Sequence, residues 1–267
     1  MKKITATLAS GLFLLTSAEL ACANFVGSYS AIKYFDLNIQ DGLIIESAPV
    51  GLTIADSTDP QIFHVAIDDG SGLITLPDYQ LSTPNRLDQP LRNQDYGLGS
   101  IFVDSLFVSD GSHMAMAFVT QEYSDPSDIA ISAASWQRNA PGAGSLIGSW
   151  NVTFYSDHNL RDTSNGFSFE GDGSGTFVSG GENTVLIPWD LTQVAVQVNG
   201  NTAYLPAPVN TGLSWLHALN ISYDQTGFSY FFISSELDDP TDISVTIGYG
   251  SPVPVPAAVW LFGSGLL

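Results

Sequence analysis

Phe228-Ser229-Tyr230-Phe231-Phe232-Ile233-Ser234-Ser235-Glu236-Leu237-Asp238-Asp239-Pro240-Thr241-Asp242-Ile243-Ser244-Val245-Thr246-Ile247 is the stretch that decides the fold. Its opening run, 228–233, is the most apolar strand pattern in the chain and suits a strand crossing a core. Its closing run, 243–247, alternates apolar and polar residues with the period of two that a half-buried strand requires. Between them, Asp239-Pro240-Thr241-Asp242 is turn chemistry. Asp can accept a hydrogen bond from the backbone two residues on, and Pro fixes φ near the turn value. The strand begins directly after the turn, which predicts a turn-then-strand unit whose acidic residues are structural.

The same unit occurs earlier. Glu122-Tyr123-Ser124-Asp125-Pro126-Ser127-Asp128-Ile129 answers 236–243, and Ser105-Leu106-Phe107-Val108-Ser109-Asp110 answers Leu219-Asn220-Ile221-Ser222-Tyr223-Asp224. Near the front, Phe25-Val26-Gly27-Ser28-Tyr29 answers Leu146-Ile147-Gly148-Ser149-Trp150. The offset is 121 at the front (27 against 148) and 114 at the back (122 against 236), a difference that loop insertions produce. In the middle, Asp69-Gly70-Ser71-Gly72 is matched to Asp172-Gly173-Ser174-Gly175 as hairpin tips, with Asp41-Gly42 as a competing partner. A period this long is a duplicated domain and not a solenoid repeat.

Further strand patterns lie at 150–155, 167–170 and 195–198, the last running into Asn199-Gly200, a hairpin-type turn. No window in the body has a helical period. With 25 Gly and 14 Pro, the body reads as all-β: two tandem homologous antiparallel β domains, each a small barrel or a sandwich. The domains are 24–137 and 146–251, joined by a small-residue linker at 138–145. Residues 1–23 and 252–267 flank them. Gly148-Ser149-Trp150 at the start of a strand, followed by the Gly-rich Asp172–Phe177 segment, resembles small lipocalin-like barrels. The resemblance implies that a large aromatic closes one barrel end, with Tyr29 in the place of Trp150 in the first unit.

The formal charge of −20 comes from 7 basic and 27 acidic residues. Such a surface repels nucleic acid, so no nucleic-acid partner is expected. Charged residues are only 13% and hydrophobic ones 44%, which excludes a disordered acidic tail.

Met1-Lys2-Lys3, an apolar core over 4–16 and Ala21-Cys22-Ala23 form a secretory signal peptide, cleaved between Ala23 and Asn24. Glu19 disfavours a lipobox at Cys22, and cleavage leaves no cysteine in the mature chain. At the other end stand Pro254, Pro256, Ala257, Ala258, Val259, Trp260, Leu261, Phe262, Gly263, Ser264, Gly265, Leu266 and Leu267. This run resembles the start of a PEP-CTERM sorting signal, with Val255 in place of the usual Glu between the prolines. The resemblance implies an exported, non-catalytic envelope or extracellular-matrix protein of a Gram-negative bacterium. It implies processing by an exosortase-type enzyme and an intermediate anchored in the inner membrane. It further implies release to the cell surface or medium, in association with extracellular polysaccharide.

Site chemistry in the body is sparse. His64, His113, His158 and His217 show no metal-ligand spacing, and the partners of His113 and His217 in the duplication are not histidine. No Gly-x-Ser-x-Gly elbow lies in the body. Asp68 with Asp69, Asp125 with Asp128, Glu170 with Asp172, and Asp239 with Asp242 are the pairs that could share a calcium ion, the one cofactor considered. No catalytic, cofactor or metal residue is assigned. Two alternatives stay open: a lipocalin-like cup or glycan-binding module for a small ligand, and a hydrolase, for which a His, an acid and a Ser would have to meet in space. Asn151-Val152-Thr153 and Asn220-Ile221-Ser222 match a glycosylation acceptor by chance.

Residues 257–267 are too few to span a bilayer, which takes about 20 apolar residues. The expectation is that the reading frame continues past Leu267 with more apolar residues and an Arg-rich end. Sequencing the locus checks this, and a stop codon directly after Leu267 would refute it.

Overall fold

Alternating strands need a sheet with a covered face, and strands that are apolar throughout need cover on both. The computed structural model meets both demands with antiparallel pairing alone. It describes residues 25–38, 44–68, 70, 72–89, 94–95, 100–125, 128–138, 144–157, 170–179, 184–186, 193–239 and 242–253, and among these there is no helix. The first half forms β1 (Gly27–Asn38), β2 (Ile44–Asp56), β3 (Ile62–Asp68), β4 (Leu73–Thr75), β5 (Tyr79–Thr83), β6 (Arg86–Asp88), β7 (Gln94–Asp95), β8 (Ser100–Ser109), β9 (His113–Glu122) and β10 (Ile129–Arg138). The second half forms β11 (Gly148–Asp157), β12 (Glu170–Ser179), β13 (Thr184–Leu186), β14 (Gln193–Ala195), β15 (Gln197–Asn199), β16 (Thr202–Tyr204), β17 (Val209–Asn210), β18 (Ser214–Tyr223), β19 (Phe228–Glu236) and β20 (Ile243–Pro252).

The first sheet runs β2-β1-β10-β9-β8-β6-β5-β3, and β2 pairs with β3 to close the ring. It is an eight-position up-and-down barrel. β4 and β5 share β3 as their partner, and β6 and β7 share β8. The second sheet repeats the order as β12-β11-β20-β19-β18-β16-β15, with β13 and β14 as a separate pair. One residue, Val196, separates β14 from β15. Arg138, expected in the linker, is the last residue of β10 and packs its guanidinium over the Tyr29 ring, 5.5 Å from the centroid.

The middle match of the duplication needs correction. Gly70 does lie in the turn between β3 and β4, at φ 86°. Gly173-Ser174-Gly175, expected at a hairpin tip, lies inside β12 and pairs with Phe154, Thr153 and Val152 of β11. A glycine run is ambiguous: it serves a tight turn, and it also serves a strand without side chains to pack.

The front match holds in three dimensions. Tyr29 Oη donates to the carbonyl of Phe25 at 2.7 Å, and Trp150 Nε1 donates to the carbonyl of Leu146 at 3.0 Å. All four residues are buried. Each aromatic packs in the core of its own repeat and ties down the segment entering it, so Tyr and Trp are interchangeable in this role.

An eight-stranded barrel is just wide enough for side chains to fill. Trp136, Tyr79, Phe25, Phe63 and Phe107 are fully buried and pack in one interior cluster with Met114, Met116 and Phe118. The second interior is built from Trp150, Phe228, Tyr230 and Phe232 with Leu216, Leu219 and Ile221. There Gly250 and Gly248 of β20 stand opposite Phe228 and Tyr230. A Cβ on either would fall within 3 Å of the facing ring.

A third cluster lies between the first barrel and the second sheet. Ala115, Ala117 and Val119 of β9, with Ile129, Ile131 and Ala133 of β10, pack against Phe231 and Ile233 of β19 and Ile243, Val245 and Ile247 of β20. Phe35 meets Phe231 edge-on, with centroids 5.2 Å apart. β9 lies on β19 and β20, and β10 on β18 and β19. Exchanging equivalent strands reproduces these contacts, so the repeats face each other about a local two-fold axis. Along β9, even-numbered residues fill the barrel while odd-numbered ones fill this seam. The two domains therefore pack on a shared apolar cluster, and residues 139–143 of the expected linker lie outside the described residues.

Phe231→Ala removes a seam side chain without touching either barrel interior. It should cost about 3–5 kcal/mol. Denaturant unfolding of the mature chain should be one transition before and after the substitution. Two transitions, with only the second displaced, would show that the seam does not couple the barrels.

Candidate functional site

The hairpin turns β8–β9 and β18–β19 occupy equivalent places in the repeats and meet at one end of the seam. Each is built on an aspartate. Asp110 Oδ1 accepts from the backbone of Ser112 and His113 at 2.8 Å each. Asp224 Oδ1 accepts from Thr226 N at 2.6 Å and Gly227 N at 3.3 Å. The repeats then diverge. Where the first turn ends in His113, the second ends in Gly227. A Cβ on Gly227 would sit 3.0 Å from His113 Nδ1 and 2.9 Å from Asp110 Oδ2. The two-fold leaves room for one side chain, and His113 takes it.

His113 is 2% exposed. Its Nδ1 lies 3.1 Å from Asp110 Oδ2, and its Nε2 lies 3.1 Å from Asp224 Oδ1 across the seam, at an angle short of a hydrogen bond. Burial alone would push the imidazole pKa down, but the hydrogen bond and charge of Asp110, with the charge of Asp224, outweigh it and hold it above the ordinary value. Burial pushes Asp224 up, yet the Thr226 and Gly227 hydrogen bonds and the His113 charge hold its carboxyl below the usual value.

Polar groups continue along the seam. Ser135 Oγ donates to Asn220 Oδ1 at 2.6 Å, and Ser222 Oγ donates to the Ser135 carbonyl at 3.0 Å. Gln137 Nε2 donates to the Asn201 carbonyl at 2.6 Å. Asn85 Nδ2 donates to Tyr249 Oη at 2.9 Å, and Arg86 stacks over Tyr155 at 5.0 Å. Buried hydrogen bonds of fixed direction set the register of an otherwise apolar interface.

The other histidines stand apart from this group. Exposed His64 contacts Asp78 at 2.6 Å. His217 Nε2 and Ser235 Oγ are 2.9 Å apart at the β18–β19 bulge, and burial holds the imidazole pKa below its ordinary value. No carboxylate hydrogen-bonds His217 among the described residues, so the three partners of a hydrolytic triad do not assemble there. His158 lies outside the described residues.

Of the acidic pairs, Asp125–Asp128 and Asp239–Asp242 form matching turns. Asp128 N donates to the Asp125 carbonyl at 2.9 Å, and Asp242 N to the Asp239 carbonyl at 3.0 Å. Asp128 Oδ1 accepts from Asn38 Nδ2 at 3.0 Å, and Asp68 Oδ1 accepts from Gly70 N at 3.0 Å. Asp69 lies outside the described residues, and Glu170 and Asp172 lie in β12. Among the described residues, no three His, Cys, Asp or Glu side chains are grouped to hold a metal ion. Asn220 is fully buried, which closes that acceptor to a glycan, whereas Asn151 is exposed.

Residues 1–24, with Ala23 and Asn24, and 254–267, with Pro254, Pro256, Ala257, Ala258, Trp260, Leu261, Phe262 and Gly263, lie outside the described residues. Sequence reading did not single out Asp110 and Asp224. The available signal was their coincidence in the duplication beside a His-for-Gly exchange.

No protein-family model matches the chain, and no curated protein matches it. Among solved structures, the chain is similar to a protein of unknown function of the DUF3598 family from Nostoc punctiforme, at 12% identity and a TM-score of 0.34, over 88% of this chain and 98% of that one. It is also similar to a mutant of the vaccine antigen transferrin-binding protein B from Haemophilus parasuis, at 8% identity and a TM-score of 0.27, over 84% of this chain and 75% of that one. The barrel is defined by its own strand pairing.

Asp125→Ala and Asp239→Ala keep the backbone turn bonds but remove the carboxylate expected to accept from the turn backbone, and should each lower stability by about 0.5–1.5 kcal/mol. Melting temperatures measured with calcium and with a chelator should fall equally. A strong calcium stabilisation of the wild type that either substitution abolishes would make these turns metal sites.

Proposed function

We propose that the chain is an exported, non-catalytic envelope or extracellular-matrix protein whose C-terminal signal hands it to an exosortase-type enzyme. The gapless run from Pro256 to Leu267, preceded by Pro254, carries this reading. Just before that run, Pro252, the last residue of β20, is paired with Trp150, and exposed Val253 follows. A signal joined directly to a folded body suits an inner-membrane-anchored intermediate that is cut after folding.

The packing favours a scaffold over a cup. The first barrel is filled by Trp136, Tyr79, Phe25, Phe63 and Phe107, so its interior serves as a core. The seam adds rigidity, and the acidic, Ser- and Thr-rich exterior suits a hydrated polysaccharide matrix. Exopolysaccharide is the partner this reading assigns.

The test is expression of the full chain, tagged just after Asn24, in a Gram-negative host carrying an exosortase and in the same host with that gene deleted. The intact host should process the chain and deliver it to the surface or medium. The deletion host should retain an unprocessed, membrane-bound form, and Trp260→Asp with Pro256→Ala should reproduce that retention. Identical processing and location in both hosts would refute the proposal.

A further inference from the structure

We propose that His113 is a proton-operated latch between the two repeats: doubly protonated, it ties Asp110 of its own turn and Asp224 of the other repeat together, and loss of one proton releases the Asp224 side. The geometry requires this asymmetry. Both ring nitrogens face carboxylates, Nδ1 at 3.1 Å from Asp110 Oδ2 and Nε2 at 3.1 Å from Asp224 Oδ1. A neutral imidazole has one N–H and one lone pair. It can satisfy only one carboxylate, and the other then faces a lone pair. Nδ1 approaches both oxygens of Asp110, at 3.1 and 3.3 Å, so the proton stays there and the cross-barrel contact turns repulsive.

The surroundings leave His113 in control. From its own turn the facing charged group is Asp110, and from the β18–β19 turn it is Asp224. From β10 the residue paired with His113 is Gln137, which does not titrate. Other ionisable side chains described at this end of the seam include Tyr29 of β1 and Arg138 of β10, in contact with each other, and Tyr223, which precedes Asp224 in β18. Tyr29 senses the Asp110 charge, and burial, the larger effect, holds its pKa above the ordinary value. Gly227 keeps the second repeat from filling the space.

The direction follows by linkage. His113 titrates higher in the folded chain than unfolded, so its contribution is complete below the ordinary histidine range and is lost as pH rises through the raised folded value. Asp224 titrates lower when folded, so its contribution holds above the ordinary aspartate range and is lost as pH falls through the depressed folded value. The latch is therefore closed in mildly acidic medium and opens as pH rises through the raised folded value of His113. Only this end of the seam responds. The apolar clusters around Phe231 and inside the two repeats contain no histidine.

The experiment uses the mature chain and reads two signals across pH 5.5–9.5. Imidazole NMR should show His113 titrating above the ordinary histidine range, and Asp224→Asn should move it down. Amide exchange in the Asp224–Gly227 turn, referenced to His113→Gln at the same pH, should accelerate by roughly tenfold to a hundredfold through that titration, the scale of one charge-assisted contact. Exchange in β9 and β19 should keep its protection. The proposal is overturned if His113 titrates at or below the ordinary range, if the turn shows no step relative to His113→Gln, or if both barrels lose protection together. If His113→Gln does not fold, Asp224→Asn serves as the reference, and an undiminished step in that variant is equally fatal.

Discussion

Everything in this molecule depends on a sheet that is buried on both faces. β8 to β10 and β18 to β20 fill a barrel with one set of side chains and the seam with the other. A strand in that position cannot show the alternation of a half-buried strand. This is why 228–233 is almost continuously apolar, and why the residues of β9 that face the seam are the small Ala115, Ala117 and Val119. Small side chains let two curved sheets approach closely, and Phe35 and Phe231 fill the space that remains.

A two-sided core raises a specificity problem, because apolar faces slide. Here the answer is a limited set of polar contacts across the seam. Ser135, Asn220, Ser222 and Gln137 form directed hydrogen bonds that a shifted packing would break. At the end of the seam the ion pairs of His113 do the same with charge. Duplication placed two identical aspartate turns face to face, and identical anions on a two-fold axis repel. A histidine on one side and a glycine on the other convert that repulsion into attraction. The His-for-Gly exchange makes the two repeats chemically unequal where they touch, and a side chain at Gly227 would meet the Gly250 carbonyl as well as His113.

The functional reading rests on the ends of the chain and the body supports it from a distance. The first barrel is filled by side chains, and His217 meets Ser235 with no carboxylate hydrogen-bonded to it among the described residues. Both barrels hold their entry segments with one aromatic ring, Tyr29 or Trp150, so the strands that begin and end each repeat are tied down at the same place.

Much of this was legible in the chain itself. Periodicity gave an all-β body, the Asp-Pro turns at 125 and 239 marked equivalent hairpins, and Tyr29 and Trp150 marked equivalent barrel ends. These are local facts, set by φ preferences and by which residues fit a turn or a strand. The Gly-rich segment at 172–175 misled for the same local reason, since a glycine that suits a tip also suits a strand. What only the tertiary structure decided was the partner of each second face. An apolar residue records that it avoids water and not what covers it, so the seam, the direction of its hydrogen bonds and the meeting of His113 with Asp224 could emerge only once the two barrels were packed together.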